Sequence, residues 1–338
     1  MGRSGFTLVD AAVTGLAAAV AASVVVVGAG VARDDARTAR CIENMRQIGL
    51  GNAQFALANQ DLMAGLSWEP GQANSKFPDL QAQQMGSSST GAQAHAAQAV
   101  DILRRRGRQD MPRIDQWLAD PGYWSLALVD FQDRDLGDTF NICPNDRHLA
   151  MWRGATDVFD DGGFLPLQIG PTPANKRWPY TSSYQATASA FDRNQSISTT
   201  LAIASRLTQG GTTDGWSIPG NARLGPSSLA TVALPSRKVH VFDEFQRHGP
   251  GVDRFFGYPS ARLPMLFFDG SVGIRLAGDA QPAWWPSFPQ TTAAYTGSFQ
   301  PHAWQPPPLN PFGQPPAWFE VVPLTLRWTR DGLLGWDY

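Results

Sequence analysis

Charge stops at Asp10 and resumes at Arg33, and the 22 positions between them, residues 11–32, carry none. The pattern then changes. From Arg33 to Asn59 there is no proline, and Cys41, Met45, Ile48 and Phe55 recur at spacings of four, three and seven. That is one apolar stripe of a helix, with Arg37, Arg40, Glu43 and Arg46 on other faces. Together the two stretches predict one helix over residues 6–59, half apolar all round and half amphipathic. Unbroken, it would be roughly 80 Å long. Gly49 and Gly51 each weaken a helix by up to about 1 kcal/mol, which predicts a bend or an end there.

Beyond the helix the periodicity shortens. Residues 61–122 are small and polar at first and read as loop, with a helix over 92–106 on Ala96, Val100 and Leu103. The apolar run at 123–131 fits a buried strand or a short helix equally well. In the segment at 239–242, Val239 and Val241 share one face of a strand, and His240 and Phe242 the other. Residues 262–275 read as strand, turn, strand, with Asp269-Gly270 as the turn. Residues 281–323, rich in proline and aromatics, predict a stiff polyproline-like arm laid over the surface. A final strand is expected over 318–328. The fold class is α+β: a long N-terminal helix packed on an antiparallel sheet with long loops.

Composition narrows the function. There are 27 Lys and Arg against 29 Asp and Glu, a net charge of −2, so no basic field exists for nucleic acid. The one basic run, Arg104, Arg105, Arg106 and Arg108, is flanked by Asp101 and Asp110 and reads as a solvated loop or helix end. Gly (33) and Pro (26) exceed a sixth of the chain, which favours strands and turns over a helical bundle. The two cysteines, Cys41 and Cys143, cannot make a zinc site alone, and no CxxC is present.

Three readings fit the start of the chain. A cleaved secretory signal would end at the small residues Gly30, Val31 and Ala32. A plain membrane anchor needs about 20 apolar residues, and Arg3 would keep its N-terminus cytoplasmic. The third rests on Gly5-Phe6-Thr7-Leu8-Val9-Asp10, which resembles the type IV prepilin signature: a short basic leader ending in Gly, then Phe-Thr-Leu and an acidic fifth residue. The resemblance implies that a prepilin peptidase cuts between Gly5 and Phe6, that Phe6 becomes an N-methylated N-terminus, and that the apolar segment is retained. The acidic position is Asp10, where the family usually has Glu. A carboxylate at the membrane border is costly unless paired, and the implied partner is the terminal ammonium of a neighbouring subunit.

The stretch with Ala32-Arg33, Cys41, Asn44, Gln47-Ile48-Gly49-Leu50 and Asn52 also resembles a narrower family. These are pilin-like proteins of planctomycete-type bacteria with a C-terminal His…Asp-Gly processing-associated domain. Cys143-Pro144-Asn145-Asp146 resembles that family's Cys-Pro-Ser-Asp element, Tyr180 to Tyr184 its Ser-Tyr strand, and Asp269-Gly270 its closing turn. The family places His nine residues before Asp-Gly, and this chain has Pro259 there. The nearest candidate is His248, with residues 250–260 as an inserted loop. A Cys41–Cys143 disulfide would staple a loop of about 100 residues to the helix, worth about 4–5 kcal/mol in the chain-entropy model. Two free buried thiols are the alternative, as is Cys143 with His148 as its base.

The resemblance implies a structural subunit of a type IV pilus-like or type II secretion-like filament. It would stand in the inner membrane with its N-terminus cytoplasmic and its head outside. Its partners would be other pilin or pseudopilin subunits and the prepilin peptidase. The expected organisation is a leader (1–5), a transmembrane half-helix (6–32), an amphipathic half-helix (33–60), a head (61–280) and a Pro/Trp-rich arm (281–338). No enzyme is expected, since HExxH, GxSxG, P-loop and nucleotide fingerprints are lacking. The best polar constellation is His240, Asp243, Glu244, His248 and Asp269, which could hold a divalent metal. A structural calcium ion on Asp243, Glu244 and Asp269 is the one cofactor considered. The rival reading is a surface carbohydrate-binding protein using Trp284, Trp285, Trp304 and Trp318.

Overall fold

Helix α1 runs from Leu8 to Ala58 without a break, 51 residues. The computed structural model describes residues 8–87, 89–168, 170–193, 207–209, 215–219, 222–249, 251, 253–285, 291–313 and 319–338, with side chains from Ala32 onward. Gly5 and Phe6 lie outside these residues, as does Trp318, and Asp10 is described only as backbone in α1. Among the described residues no helix is long and apolar enough to cross a membrane. The expected span, 6–32, falls almost wholly outside the described side chains.

The second half of α1 buries one face. Cys41, Asn44, Met45, Ile48, Asn52 and Ala56 are buried at helical spacing. Met45 and Ile48 are fully covered, each worth about 1.5–3 kcal/mol. The helix does not end at Gly49 and Gly51. A Cβ at Gly49 would lie 3.0 Å from Leu266 Cδ1, and one at Gly51 would lie 2.8 Å from Gln132 Nε2. These glycines let neighbouring segments press onto the helix, and that packing outweighs their low propensity. The helix ends at Ala58, and Gln60 and Asp61 then turn left-handed (φ 56° and 65°). Asp61 N–H then reaches back to the Ala56 carbonyl at 2.8 Å.

Further α-helices among the described residues are α2 (Pro78–Met85), α3 (Gly91–Arg105), α4 (Asp120–Tyr123), α5 (Leu126–Phe131), α6 (Arg147–Gly154), α7 (Thr156–Asp160) and α8 (Ala188–Phe191). The run at 123–131 is thus helical. Thr90 and Gln93 cap α3 reciprocally. The basic run at the end of α3 is not simply solvated. Arg104 forks onto Asp79 at 2.8 and 2.7 Å, Arg105 onto Asp130 at 2.8 Å twice, and Arg108 donates to Asp160 and to the Tyr180 hydroxyl at 2.6 Å each. It ties α2, α3 and α5 together.

The strands are β1 (Tyr184–Ala186), β2 (Thr208–Gln209), β3 (Trp216–Ser217), β4 (Val239–Asp243), β5 (Phe245–Gln246), β6 (Arg254–Phe255), β7 (Arg262–Phe267), β8 (Val272–Leu276), β9 (Thr296–Phe299) and β10 (Glu320–Pro323). The main sheet has the order β1-β4-β7-β8 and is antiparallel throughout. Its register shifts between Val239 and Val241, a bulge at His240, and all five residues of β4 are buried. The β7–β8 turn is the expected one: Gly270 has φ 84°, and Asp269 Oδ1 accepts from Ser271 N–H (2.9 Å) and Oγ (2.6 Å).

The C-terminal segment is not only a surface arm. β9 pairs with β10, and Phe299, Val322, Leu324, Leu326 and Trp328 join the same core as Cys41, Met45 and Ile48. The final strand is shorter than expected, and Arg327 is buried with Nη2 donating to Gln185 Oε1 at 2.6 Å.

Candidate functional site

Where α1 meets the head, four buried side chains converge from four parts of the chain: Cys41, Cys143, Asp243 and His248. One sulfur, nitrogen or carboxylate oxygen from each lies within 4.8 Å of all the others.

Each is placed by local structure. Cys41 sits on the buried face of α1. One turn later, Asn44 Nδ2 donates to the Ile142 carbonyl at 2.9 Å, which draws the next residue, Cys143, towards the helix. Pro144 keeps Cys143 out of helical geometry, and Asp146 then caps α6 by accepting from Leu149 N–H at 3.3 Å. Asp243 ends β4 directly opposite Tyr184 of β1. His248 follows β5, held by Asn145, whose Nδ2 donates to the Arg247 carbonyl (2.5 Å) and to His248 Nδ1 (3.1 Å).

The contacts within the cluster are polar. His248 Nε2 lies 3.1 Å from Cys143 Sγ, and the Tyr184 hydroxyl donates to Cys41 Sγ at 3.3 Å. Asp243 Oδ1 accepts from Arg247 Nη1 and from Phe245 N–H, the latter at 3.2 Å. Arg247 also pairs with Asp146 at 2.9 Å. Asp243 Oδ2 is buried with no hydrogen-bond partner among the described residues, as is Asn145 Oδ1.

The electrostatics follow from this arrangement. The hydrogen bond with Cys143, helped by His248 and Tyr184, pulls the Cys41 thiol down against burial. Burial, then the Cys41 sulfur, pushes Cys143 up. Burial pushes the Asp243 carboxyl up to about 7 against the pull of Arg247. Burial draws His248 down, but the adjacent Cys41 sulfur outweighs it and the ring is raised. One negative charge is thus favoured at Cys41, and a second in the same pocket is resisted.

Cys41 and Cys143 meet, but as free thiols rather than a disulfide. Of the five-residue polar constellation, only Asp243 and His248 meet. The calcium triad does not assemble. Asp269 is in the exposed β7–β8 turn, with its N–H on the Pro235 carbonyl at 3.3 Å, at the opposite end of β4 from Asp243. Glu244 accepts from Gln185 Nε2 at 2.6 Å. His240 stacks on Phe268, ring centroids 4.5 Å apart. The base beside Cys143 is His248, not His148, which packs near Trp152. Asn145, Tyr184 and Arg247 join the site from the structure alone. Asn145 and Tyr184 lie in the Cys-Pro-Asn-Asp and Ser-Tyr elements, and no sequence element marks Arg247.

The tryptophans of the carbohydrate reading fall into two groups. Trp304 stacks face to face on His302 (4.5 Å) and meets Trp152 (5.0 Å) and Trp178 (5.8 Å) edge to face. Trp285 stacks on Tyr295, and Trp284 is buried. Trp284 and Trp285 thus pack on the protein itself, whereas half-buried Trp304, with Trp152 and Trp178, lines a cavity of about 1330 Å³.

Comparison with known proteins found no matching family model, curated protein or solved structure.

Proposed function

We propose that the chain is a pilin-like subunit of a type IV pilus-like or type II secretion-like filament. The observation that carries this reading is how α1 leaves the head. Its second half packs on the antiparallel sheet through Met45 and Ile48, whereas residues 32–36 are exposed all round the helix. The helix therefore projects beyond the head, and the projecting part continues into the uncharged residues 11–32. An uncharged helical stretch of that length suits lipid or other copies of itself.

In this reading the peptidase cuts after Gly5, and Phe6 becomes the N-terminus. Residues 6–32 cross the inner membrane with the head outside, and Asp10 meets the ammonium of the next subunit. No catalytic role is assigned in this reading, and nucleic acid is not a partner. Mass spectrometry of the mature chain tests the reading. N-methylated Phe6, with Gly5→Ala leaving the leader uncut, is the expected result. A chain starting at Met1, or at Arg33 after loss of the whole apolar segment, would overturn it.

A further inference from the structure

We infer that Cys41, Cys143, Asp243 and His248 form a closed, tetrahedral site for a zinc-class divalent metal ion that ties the stalk helix to the head. The inference stands apart from the filament reading.

The donor set is the first argument. Two thiolates, an imidazole and a carboxylate suit zinc and its borderline neighbours rather than calcium or magnesium, which take oxygen. The geometry is the second. At bond lengths of about 2.0–2.3 Å, neighbouring tetrahedral ligand atoms stand about 3.3–3.8 Å apart. The four atoms already lie within 4.8 Å of one another, with His248 Nε2 and Cys143 Sγ at 3.1 Å. Small side-chain shifts close the set.

The third argument is the unpartnered oxygen. Asp243 is fully buried, and Oδ2 has no partner while Oδ1 is held by Arg247. A buried lone pair without a donor is expensive. A disulfide between Cys41 and Cys143 would leave Oδ2 unpaired and His248 Nε2 facing sulfur. A metal ion satisfies both and uses both sulfurs.

The outer partners fit as well. Tyr184 supports the Cys41 sulfur, Arg247 the other oxygen of Asp243, and Asn145 the far nitrogen of His248, the arrangement that orients metal ligands elsewhere. Ligation through Nε2 leaves the ring proton on Nδ1, and a turn of the Asn145 amide offers it Oδ1, now buried without a partner. That turn gives up the bond to the Arg247 carbonyl. The divalent ion enters, both sulfurs end as thiolates, and the protons still held by the sulfurs, His248 and Asp243 leave. With four protein ligands and no exposed face, the site holds structure rather than activating water.

The test uses the full-length chain in detergent, purified anaerobically with reductant, stripped with chelator and titrated with cobalt(II). One cobalt per chain is expected, with a sulfur-to-cobalt charge-transfer band and the intense visible bands of tetrahedral cobalt, both bleached by zinc. Cys143→Ser and His248→Ala should abolish the spectrum, and Asp243→Asn should weaken binding by more than about tenfold. Asp269→Ala, in the distant turn, should leave it intact. The wild-type spectrum and stoichiometry need no variant to fold. Absence of the spectrum in a chain with both thiols reduced overturns the inference, as does a spectrum that survives Cys143→Ser and His248→Ala. So does a chain that, without oxidant, holds a Cys41–Cys143 disulfide and no metal.

Discussion

Asn44 on α1 donates to the Ile142 carbonyl at 2.9 Å, a buried bond between residues 98 positions apart. It fixes the loop that delivers Cys143 to Cys41. Asn44→Ala removes the donor and leaves that carbonyl buried without it, a cost of about 1–3 kcal/mol. The urea midpoint should fall, and both thiols should react faster with a thiol reagent in the metal-stripped chain. Unchanged labelling alongside lower stability would mean that Asn44 supports the helix but not the cysteine pair.

Gly49 and Gly51 should separate when each is changed to Ala. Helix propensity alone favours both substitutions by up to about 1 kcal/mol. At Gly51 the new methyl meets the end of the Gln132 side chain, which is half-buried and can turn aside. At Gly49 it meets Leu266, which is fully buried in the sheet. Gly51→Ala should therefore be neutral or stabilising, and Gly49→Ala destabilising by about 1–3 kcal/mol. Thermal unfolding of the two variants gives the comparison, and equal shifts would refute the packing account.

The long helix, α3 and the Asp269-Gly270 turn were legible because each rests on local pattern: a stripe at helical spacing, a run of Ala96, Val100 and Leu103, and a turn dipeptide between apolar runs. The cysteine–histidine–aspartate cluster was legible only in halves, Cys41 with Cys143 and Asp243 with His248. Cys143 and His248 are 105 residues apart, and no spacing links one half to the other. Periodicity has no access to such a pairing. The glycines of α1 misled for the opposite reason, since propensity was counted and the close approach of Leu266 could not be. The C-terminal segment reads as an arm because its prolines mask alternation. In the structure Trp328 Nε1 donates to the Leu207 carbonyl at 3.1 Å, inside the core.

Arg153 organises the loops beside the cluster. It is buried, and its guanidinium donates to Pro179 O (2.7 Å), Asp138 O (2.8 Å), Asn141 Oδ1 (2.6 Å) and Thr181 O (2.7 Å). Asn141 in turn donates to Ser125 Oγ at 2.8 Å. Burial lowers Arg153 to about 10, so it stays charged at neutral pH. Lysine keeps the charge but cannot span four acceptors with a planar fork. Arg153→Lys should cost about 3 kcal/mol, the loss of one or two charge-assisted bonds. A denaturant midpoint within error of wild type would show that the fork is dispensable.

His240 makes stability depend on acid. Burial, with Lys238 adding repulsion, lowers its pKa from 6.5 to about 3. It packs between Phe268 and Trp124, and the nearest carboxylate beyond Lys238 is Asp337, 3.0 Å from Nζ. Below about pH 6.5 the unfolded chain takes up a proton that the folded chain refuses until about pH 3. This group therefore leaves stability unchanged above pH 6.5. Below it, stability falls by about 1.4 kcal/mol per pH unit down to about pH 3. His240→Phe keeps a ring on Phe268 and removes the titration. Urea unfolding of both chains at about pH 7.5 and about pH 4.5, with chelator present so that acid cannot act by releasing metal, isolates this contribution. Relative to wild type, the variant should gain about 2–3 kcal/mol on going to the lower pH. Parallel pH curves for the two chains would show that His240 is not held neutral by its burial.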